Sequence, residues 1–307
     1  MNIIERPLLS SLTTLRIGGR ALAEIQLFHK EDCLHLPDVL AKLGGQVHIL
    51  GGGSNLLIHD GDLPITVLRP FFGSRELHED EAEIISEEQG GTHKLIRVGS
   101  GMRIPHLLKW CALHGLSGLE GLVGIPSRMG GAIAMNAGAY GCSIAPLLRT
   151  LDVFTPEKGL HTVTSEDWTA SYRHFSLHDA PSWHMYVSAV LSLPISTQEE
   201  VYETMKANLL RKKNSQPVHE HTAGCIFKNP EGMSAGWLLD QAGMKGKRKG
   251  AMFFSPMHAN FLVHDTKSSQ RGTCADALAL IHEARHSVQE KFGIELSMEV
   301  REWPLCP

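Results

Sequence analysis

"QVHILGGGSNLL" (residues 46–57) sets three consecutive glycines directly behind a strand-like run. Glycine lets main chain approach a ligand closely and lets several backbone N–H groups face one anion. Ser54 and Asn55 add side-chain donors at the same place. The dinucleotide fingerprint G-x-G-x-x-G is only half met, because Leu56 stands where its last glycine belongs. A Walker A loop fails too, since no G-K-[ST] follows. Alone, the stretch reads equally well as a tight turn.

A second small-residue run changes the weighing. "GIPSRMGGAIAMNAGAYG" (124–141) packs glycines and alanines around Asn136, more of them than a turn needs. A run without bulky side chains suits a flat, extended ligand lying against main chain. The two runs together point to one large ligand with a pyrophosphate and a planar ring.

Around these loops the chain alternates short elements. "AEIQLF" (23–28) and "QVHIL" (46–50) read as strands flanking a helix, "PDVLAKL" (37–43), a βαβ-like rhythm that ends near residue 65. "KLIRVGSG" (94–101) reads as a strand. The stripe Ile104, Leu107, Leu108, Cys111 has helical spacing and puts Cys111 in the core. Strands follow around 149–155 and 184–193. A helix over 200–213 carries Tyr202, Met205 and Leu209 on one face, and Pro217 marks a boundary. The last helix, 275–292, has the stripe Leu278, Ile281, Ala284/Arg285, Val288, Phe292, and "GIELSMEVREW" (293–303) reads as a final strand.

Composition narrows the function classes. The 307 residues are 42% hydrophobic and 20% charged with a formal net charge of -4, values of a folded globular protein without the basic excess of a nucleic-acid binder. No run approaches a membrane span, and the start lacks a basic region followed by a long apolar core. The six cysteines (33, 111, 142, 225, 274, 306) are scattered without a C-x-x-C pair, which fits neither a zinc ribbon nor a disulfide framework. A cytoplasmic chain is expected. One cysteine is oddly placed: "TAGCIFKNP" (222–230) puts Cys225 behind a glycine and ahead of a lysine, an asparagine and a proline.

Taken in order, "TTLRIGG" (13–19), "LGGGSNLLI" (50–58), "GLEGLVGIPSRMGGAIAMNAGAYG" (118–141), "YR" (172–173), "QPVHEHTAGCIFKNP" (216–230), "AGWLLDQAGMKG" (235–246), "HANFLV" (258–263) and "FGIELSMEVR" (292–301) resemble the UDP-N-acetylenolpyruvoylglucosamine reductases of bacterial peptidoglycan synthesis over nearly the whole chain. The resemblance implies an α+β protein with two FAD-binding subdomains of the vanillyl-alcohol-oxidase type (1–65 and 66–199). A substrate-binding α+β domain (200–307) follows, and its last strand, about 294–303, returns to the active-site cleft. A cytoplasmic monomer that partners neither nucleic acid nor membrane and holds no metal is expected. Its small molecules would be FAD, NADPH and UDP-N-acetylglucosamine enolpyruvate. The reaction so implied has two stages. NADPH reduces FAD, then a hydride passes from flavin to the enolpyruvyl methylene carbon while a proton reaches the neighbouring carbon, giving UDP-N-acetylmuramate.

By the same resemblance Cys225 is the proton donor, where the family usually has serine. An unperturbed thiol, with a pKa of about 8.5, is largely protonated near neutrality and is a better acid than a hydroxyl. Arg173 and Glu299 would stabilise the enolate-like intermediate. FAD contacts would come from Gly51, Gly52, Gly53, Ser54, Asn55 and Leu56, and from Gly124, Ile125, Pro126, Ser127, Gly130, Gly131, Ala132, Asn136 and Gly138. Substrate contacts would be Tyr172, Lys213, Asn229, Lys245 and Arg301, the last on the same strand face as Glu299. The chain departs from the family pattern at Phe175, where a serine is usual, and at Ser127–Arg128, where Arg128 would meet a phosphate or face water. The short stretch between Arg173 and Cys225 resembles the type lacking a tyrosine-loop insertion.

Three rival readings are a zinc metalloprotease, a flavin oxidase acting on another substrate and a basic RNA-binding module. "HEARH" (282–286) is a literal H-E-x-x-H, but the helical stripe turns His282 and His286 toward a wet flank. "HEH" (219–221) reads as loop polarity. An oxidase of the wider flavoprotein class would not need "AGCIFKNP" or "EVR". The basic runs "RKKN" and "KGKRKG" lack the interleaved aromatics of an RNA-binding module.

Overall fold

The strand Ala23–Leu27 is buried along nearly its whole length, as a strand covered on both faces must be. It pairs antiparallel with Asn2–Glu5 and parallel with Ile65–Pro70, which pairs parallel with Gln46–Ile49. Its one buried charge, Glu24, is met by Arg69 Nη1 at 2.6 Å. In this computed structural model, residues 1–73, 82–88, 90–178 and 183–304 are described, and Cys306 lies outside them. The described residues form two discontinuous units. The first comprises Met1–Glu5, Ala23–Gly52 and Ile65–Arg211, and the second Arg6–Leu22, Gly53–Pro64 and Lys212–Pro307. These are not three consecutive ranges. Segments 6–22 and 53–64 group with the C-terminal third.

In the first unit, the helix α1 (Asp32–Leu43) connects Ala23–Leu27 to Gln46–Ile49. It begins five residues before the expected start at Pro37 because the Asp32 carboxylate accepts the N–H groups of Phe28 and His29, at 2.8 and 3.0 Å. Contacts from N–H groups 32–34 to carbonyls three residues back tighten this first turn. Cys33 is on the buried face of α1, and burial, reinforced by Asp32 and Glu31, pushes its thiol up to about 11.

Among the described residues, five antiparallel strands make the unit's second sheet, in the order Gly159–Thr164, Leu148–Thr155, Met185–Pro194, His93–Gly99, Ala82–Glu87. The helix α2 (Ile104–Leu113) buries all four residues of its expected stripe. Burial, with Glu120 nearby, pushes the Cys111 thiol far up, so it is an inert core group. A short helix, α3 (Met129–Ala134), carries the second small-residue run. The two sheets share an apolar layer in which Ile25 and Leu27 meet Phe154, Met185 and Val187. The helix α4 (Gln198–Ser215) runs to the end of this unit and into the next. Tyr202 does not face inward as expected but is 60% exposed. Val201, Asn208 and Lys212 are buried and Met205 and Leu209 partly so, and the two polar members hid the helical period of this row from an apolar count.

In the second unit, among the described residues, a sheet runs His221–Cys225, Phe261–His264, Met252–Phe254, Arg248–Lys249, all antiparallel. The helix α5 (Ala235–Gln241) is capped by Ser234 Oγ, which accepts the Trp237 N–H. The helix α6 (Cys274–Phe292) has a reciprocal cap between Thr273 and Asp276 and ends at Gly293 with φ 68°. It buries Ala277, Ile281, Ala284 and Val288 in the unit's core, with Leu278 and Phe292 only partly covered. The expected strand over 293–303 shrinks to Arg301–Trp303, which pairs parallel with Leu56–Ile58. Upstream, the N–H groups of Glu299 and Val300 go to the Ile226 carbonyl and that of Arg301 to Asn55, so no single neighbour supports an extended strand. Arg301 and Glu299 therefore do not share a regular strand face.

Candidate active site

In the first unit the two glycine runs meet back to back. A Cβ on Gly52 would lie 2.7 Å from the Pro126 carbonyl oxygen and 3.0 Å from Ser127 Cα, and one on Gly51 would lie 3.2 Å from Gly131 Cα. Gly99 and Gly101, which close the strand His93–Gly99, are pressed as tightly on Phe72 and Phe71. The result is a cradle of nearly bare main chain, the surface a flat cofactor needs. Part of the glycine content has another cause. Gly138 lies in the Gly138–Ser143 hairpin and Gly121 packs against it, and a Cβ on Gly121 or Gly138 would meet the Ala139 or Cys142 carbonyl oxygen at 2.1 or 2.4 Å.

Several expected contacts already have protein partners. Gly130 N–H donates to the Ser100 carbonyl, so it is not offered to an anion. Ser127 Oγ donates to the Arg128 carbonyl. Arg128 neither faces water nor stands open for a phosphate: it is 5% exposed, donates to the Gly101 carbonyl at 2.6 Å and lies 4.5 Å over the Phe71 ring. Asn136 is buried at φ 39°, with Nδ2 donating to the Ser171 carbonyl and Oδ1 accepting the Ala145 N–H. It thereby fixes the hairpin that presents Tyr172 and Arg173. Gly124, Ile125 and Pro126 remain at least partly accessible, and Ala132 is buried.

Tyr172 and Arg173 form the two-residue link between Trp168–Ser171 and His174–Leu177. Arg173 sits at φ 55°, an uncommon conformation for a side-chain-bearing residue, and Nη1 donates to the Gly138 carbonyl at 2.8 Å. Its guanidinium lies 5.2 Å over the exposed Tyr172 ring. Phe175 is explained by packing: it is buried beside Trp168 and edge-on to Tyr186. Ser176, the next residue, is bonded to Thr169 and His174.

The second unit gathers the other candidates. Cys225 ends the strand His221–Cys225 after a register shift at Gly224, whose φ is 81°. It is half-buried and opposite Phe261. The next residues are stitched down by Asn260. The Asn260 carbonyl accepts the Ile226 N–H, Oδ1 accepts the Phe227 N–H at 2.9 Å, and Nδ2 donates to the Phe227 carbonyl at 2.8 Å. The Ile226 carbonyl in turn accepts the Glu299 N–H at 2.8 Å, and Asn55 Nδ2 donates to the Glu299 carbonyl at 3.1 Å. Glu299 is thus held between the cysteine segment and the glycine loop, with Gly53, Ser54 and Leu56 alongside in the sequence. Gly53 is fixed by its own close approach to the Leu12 carbonyl, 2.1 Å from where a Cβ would sit.

The remaining substrate candidates are dispersed over this unit. Asn229 Oδ1 accepts the Ala235 N–H, which leaves its amide nitrogen to donate. Lys245 pairs with Asp240 at 2.6 Å, and Lys213 and Arg301 are exposed. Beside Lys245's segment stands His258, whose Nδ1 accepts the Asn260 N–H and whose ring fills the space over Gly236. Burial, with Lys245 nearby, lowers its pKa, so it is a neutral imidazole with Nε2–H to donate. Sequence reasoning passed over both His258 and Asn260 although "HANFLV" contains them. Nothing in residue type alone separates a clamp from a loop asparagine. In "HEARH", His282, Glu283 and His286 are exposed, with Lys247 on Glu283 at 2.6 Å and Glu290 on His286 at 3.7 Å.

The bare main chain of the first unit's glycine runs suits a flavoprotein class of site, and in the second unit the residue after the half-buried Cys225 accepts the Glu299 N–H. Residues 23–164 match the FAD binding domain family, and residues 216–303 match the C-terminal domain of UDP-N-acetylenolpyruvoylglucosamine reductase. The chain is 44% identical over 303 residues to the UDP-N-acetylenolpyruvoylglucosamine reductase of Oleidesulfovibrio alaskensis and 43% identical over 302 residues to that of Nitratidesulfovibrio vulgaris, with 98% of each chain covered. The crystal structure of the Thermus caldophilus reductase superposes with a TM-score of 0.79 at 32% identity, covering 99% of this chain and all of that one. The chain belongs to the UDP-N-acetylenolpyruvoylglucosamine reductase family, and its α+β fold with an FAD-binding region is the one the sequence motifs implied.

Proposed function

We propose that the protein is an FAD-containing, NADPH-dependent reductase that converts UDP-N-acetylglucosamine enolpyruvate to UDP-N-acetylmuramate for peptidoglycan synthesis, acting as a cytoplasmic monomer. The observation that carries the reading is the backbone bond from Glu299 N–H to the carbonyl of Ile226, the residue after Cys225. It ties the segment that carries the thiol to the segment that carries the carboxylate. When bound, FAD supplies two-electron hydride chemistry linking NADPH oxidation to reduction of an enol ether. The bare main chain around Gly51, Gly52 and Gly131 supports this reading, since a Cβ on Gly52 would lie 2.7 Å from the Pro126 carbonyl oxygen and one on Gly51 3.2 Å from Gly131 Cα.

The chain's own residues deal with charge and protons. Hydride addition at the methylene carbon leaves negative charge on the adjacent carbon and its carboxylate. Arg173, its guanidinium anchored on the Gly138 carbonyl, offers a fixed cation to that charge, a contribution of several kcal/mol where water is excluded. Cys225 gives its thiol proton to the carbon, and the thiolate regains one from solvent. Glu299 sets the hydrogen bonding of the developing enolate. Tyr172, Lys213, Asn229, Lys245 and Arg301 bind the UDP-sugar, Lys245 after exchanging its Asp240 partner. Purified protein should be yellow and should oxidise NADPH over many anaerobic turnovers only when UDP-N-acetylglucosamine enolpyruvate is added, with a product heavier by two hydrogens in mass spectrometry. Colourless protein, or NADPH oxidation indifferent to that substrate, would count against the proposal.

A further inference from the structure

Among the described residues, Arg6, Arg16, Asn136, Tyr140 and Arg173 are the non-glycine residues with positive φ. Side chains rarely take this conformation because Cβ crowds the following carbonyl. For three of them a protein contact accounts for it. Arg6 forks onto both Asp62 oxygens at 2.9 Å, Asn136 bonds through both ends of its amide, and Arg173 donates to Gly138. Arg16, at φ 58°, is exposed and has no hydrogen-bond or ion-pair partner among the described residues.

Its backbone is nonetheless pinned on every side. Leu15 and Ile17 are 0% and 2% exposed. The Leu15 carbonyl is bonded to His264 Nδ1 at 3.1 Å, Thr14 N–H donates to the Gly53 carbonyl, and Thr14 Oγ1 donates to the Thr222 carbonyl at 2.7 Å. His221 stands opposite His264 in the neighbouring strand. The charge of Arg16 is felt there, adding to burial in lowering the His221 pKa, with Glu220 the opposing acid. The protein thus holds Arg16 in a strained backbone conformation, one residue from the Leu15–His264 bond, two from the Thr14 bonds to Gly53 and to Thr222, which follows His221, and close enough to His221 for its charge to be felt there. Strain of this kind persists where its surroundings over-determine it, typically at ligand clamps.

We propose that Arg16, with His221 beside it, is the anchoring cation of an anion site that takes a nucleotide phosphate. A planar guanidinium binds two phosphate oxygens at once, and the neighbouring imidazole adds an N–H donor. The inference rests on the function proposed above, which supplies three phosphate-bearing ligands: FAD, NADPH and the UDP-sugar.

Arg16→Gly separates a binding role from a structural one, because glycine adopts positive φ without steric cost. The expected result is a thermal midpoint equal to or above wild type together with about a ten- to hundredfold loss of affinity, the range for a lost charge-assisted contact. Three arms identify the phosphate: FAD binding to deflavinated protein by flavin fluorescence, UDP binding by calorimetry, and KM for NADPH against NADH in flavin reduction. A loss in any one arm supports the site and names its source, and a loss for NADPH but not NADH assigns the 2′-phosphate. Unchanged affinity in all three arms, or a midpoint lowered by several degrees, overturns the proposal. Wild-type protein that binds no FAD would instead sink the flavoprotein reading on which it rests.

Discussion

Asn260 offers the sharpest test of how the cysteine segment is held. Its side chain is 1% exposed and satisfies both backbone groups of Phe227, itself fully buried. Asn260→Ala leaves a buried N–H and a buried C=O without partners, each worth about 1–3 kcal/mol. The sum, about 2–6 kcal/mol, is a large share of the ~5–15 kcal/mol that stabilises a typical protein. Thermal denaturation should show a midpoint lowered by on the order of 10 °C. Asn260→Asp keeps the acceptor for Phe227 N–H but sets an anionic oxygen against the Phe227 carbonyl. It should be at least as destabilised at neutral pH and should recover as pH falls and the carboxyl protonates, since only the protonated form can donate. A midpoint for Asn260→Ala within about 1 °C of wild type, or an Asn260→Asp variant insensitive to pH, would refute the reasoning.

Two further outcomes follow from burial and close packing. His48, His221 and His258 all have pKa values lowered from 6.5, burial being the first cause in each. The folded state therefore binds fewer protons than the unfolded one below that value. Stability is intact above about pH 6.5 and falls below it, His48 and His258 contributing more than the less buried His221, which urea midpoints between pH 7.5 and 5.5 will measure. Gly52→Ala forces a Cβ to within 2.7 Å of the Pro126 carbonyl oxygen and should lower both the thermal midpoint and the flavin content of purified protein. Full flavin loading in that variant would contradict the cradle.

Local pattern exposed those parts of the fold that depend on neighbours in sequence. The strand Ala23–Leu27 and the stripe of α2 were legible because apolar spacing alone specifies them. The grouping of 6–22 and 53–64 with the C-terminal third was not, because it is made by long-range bonds such as Thr14 to Thr222 and Leu56–Ile58 to Arg301–Trp303. The final strand was overread for the same reason: alternation in "IELSMEVREW" is real, but its donors are claimed by Ile226 and Asn55. Cys225 could be singled out by its motif. Arg16, Asn260 and His258 could not, since what distinguishes them is φ, a pair of buried bonds and a ring over a glycine, none of which residue type encodes.

The proton-donor role of Cys225 is best tested by stopped-flow absorbance of the two half-reactions in Cys225→Ala and Cys225→Ser. The account predicts that Cys225→Ala keeps flavin reduction by NADPH while reoxidation by the enolpyruvyl substrate slows by about 10²–10⁴-fold, with partial recovery in Cys225→Ser. Equal losses in both half-reactions, or unimpaired reoxidation in Cys225→Ala, would contradict it.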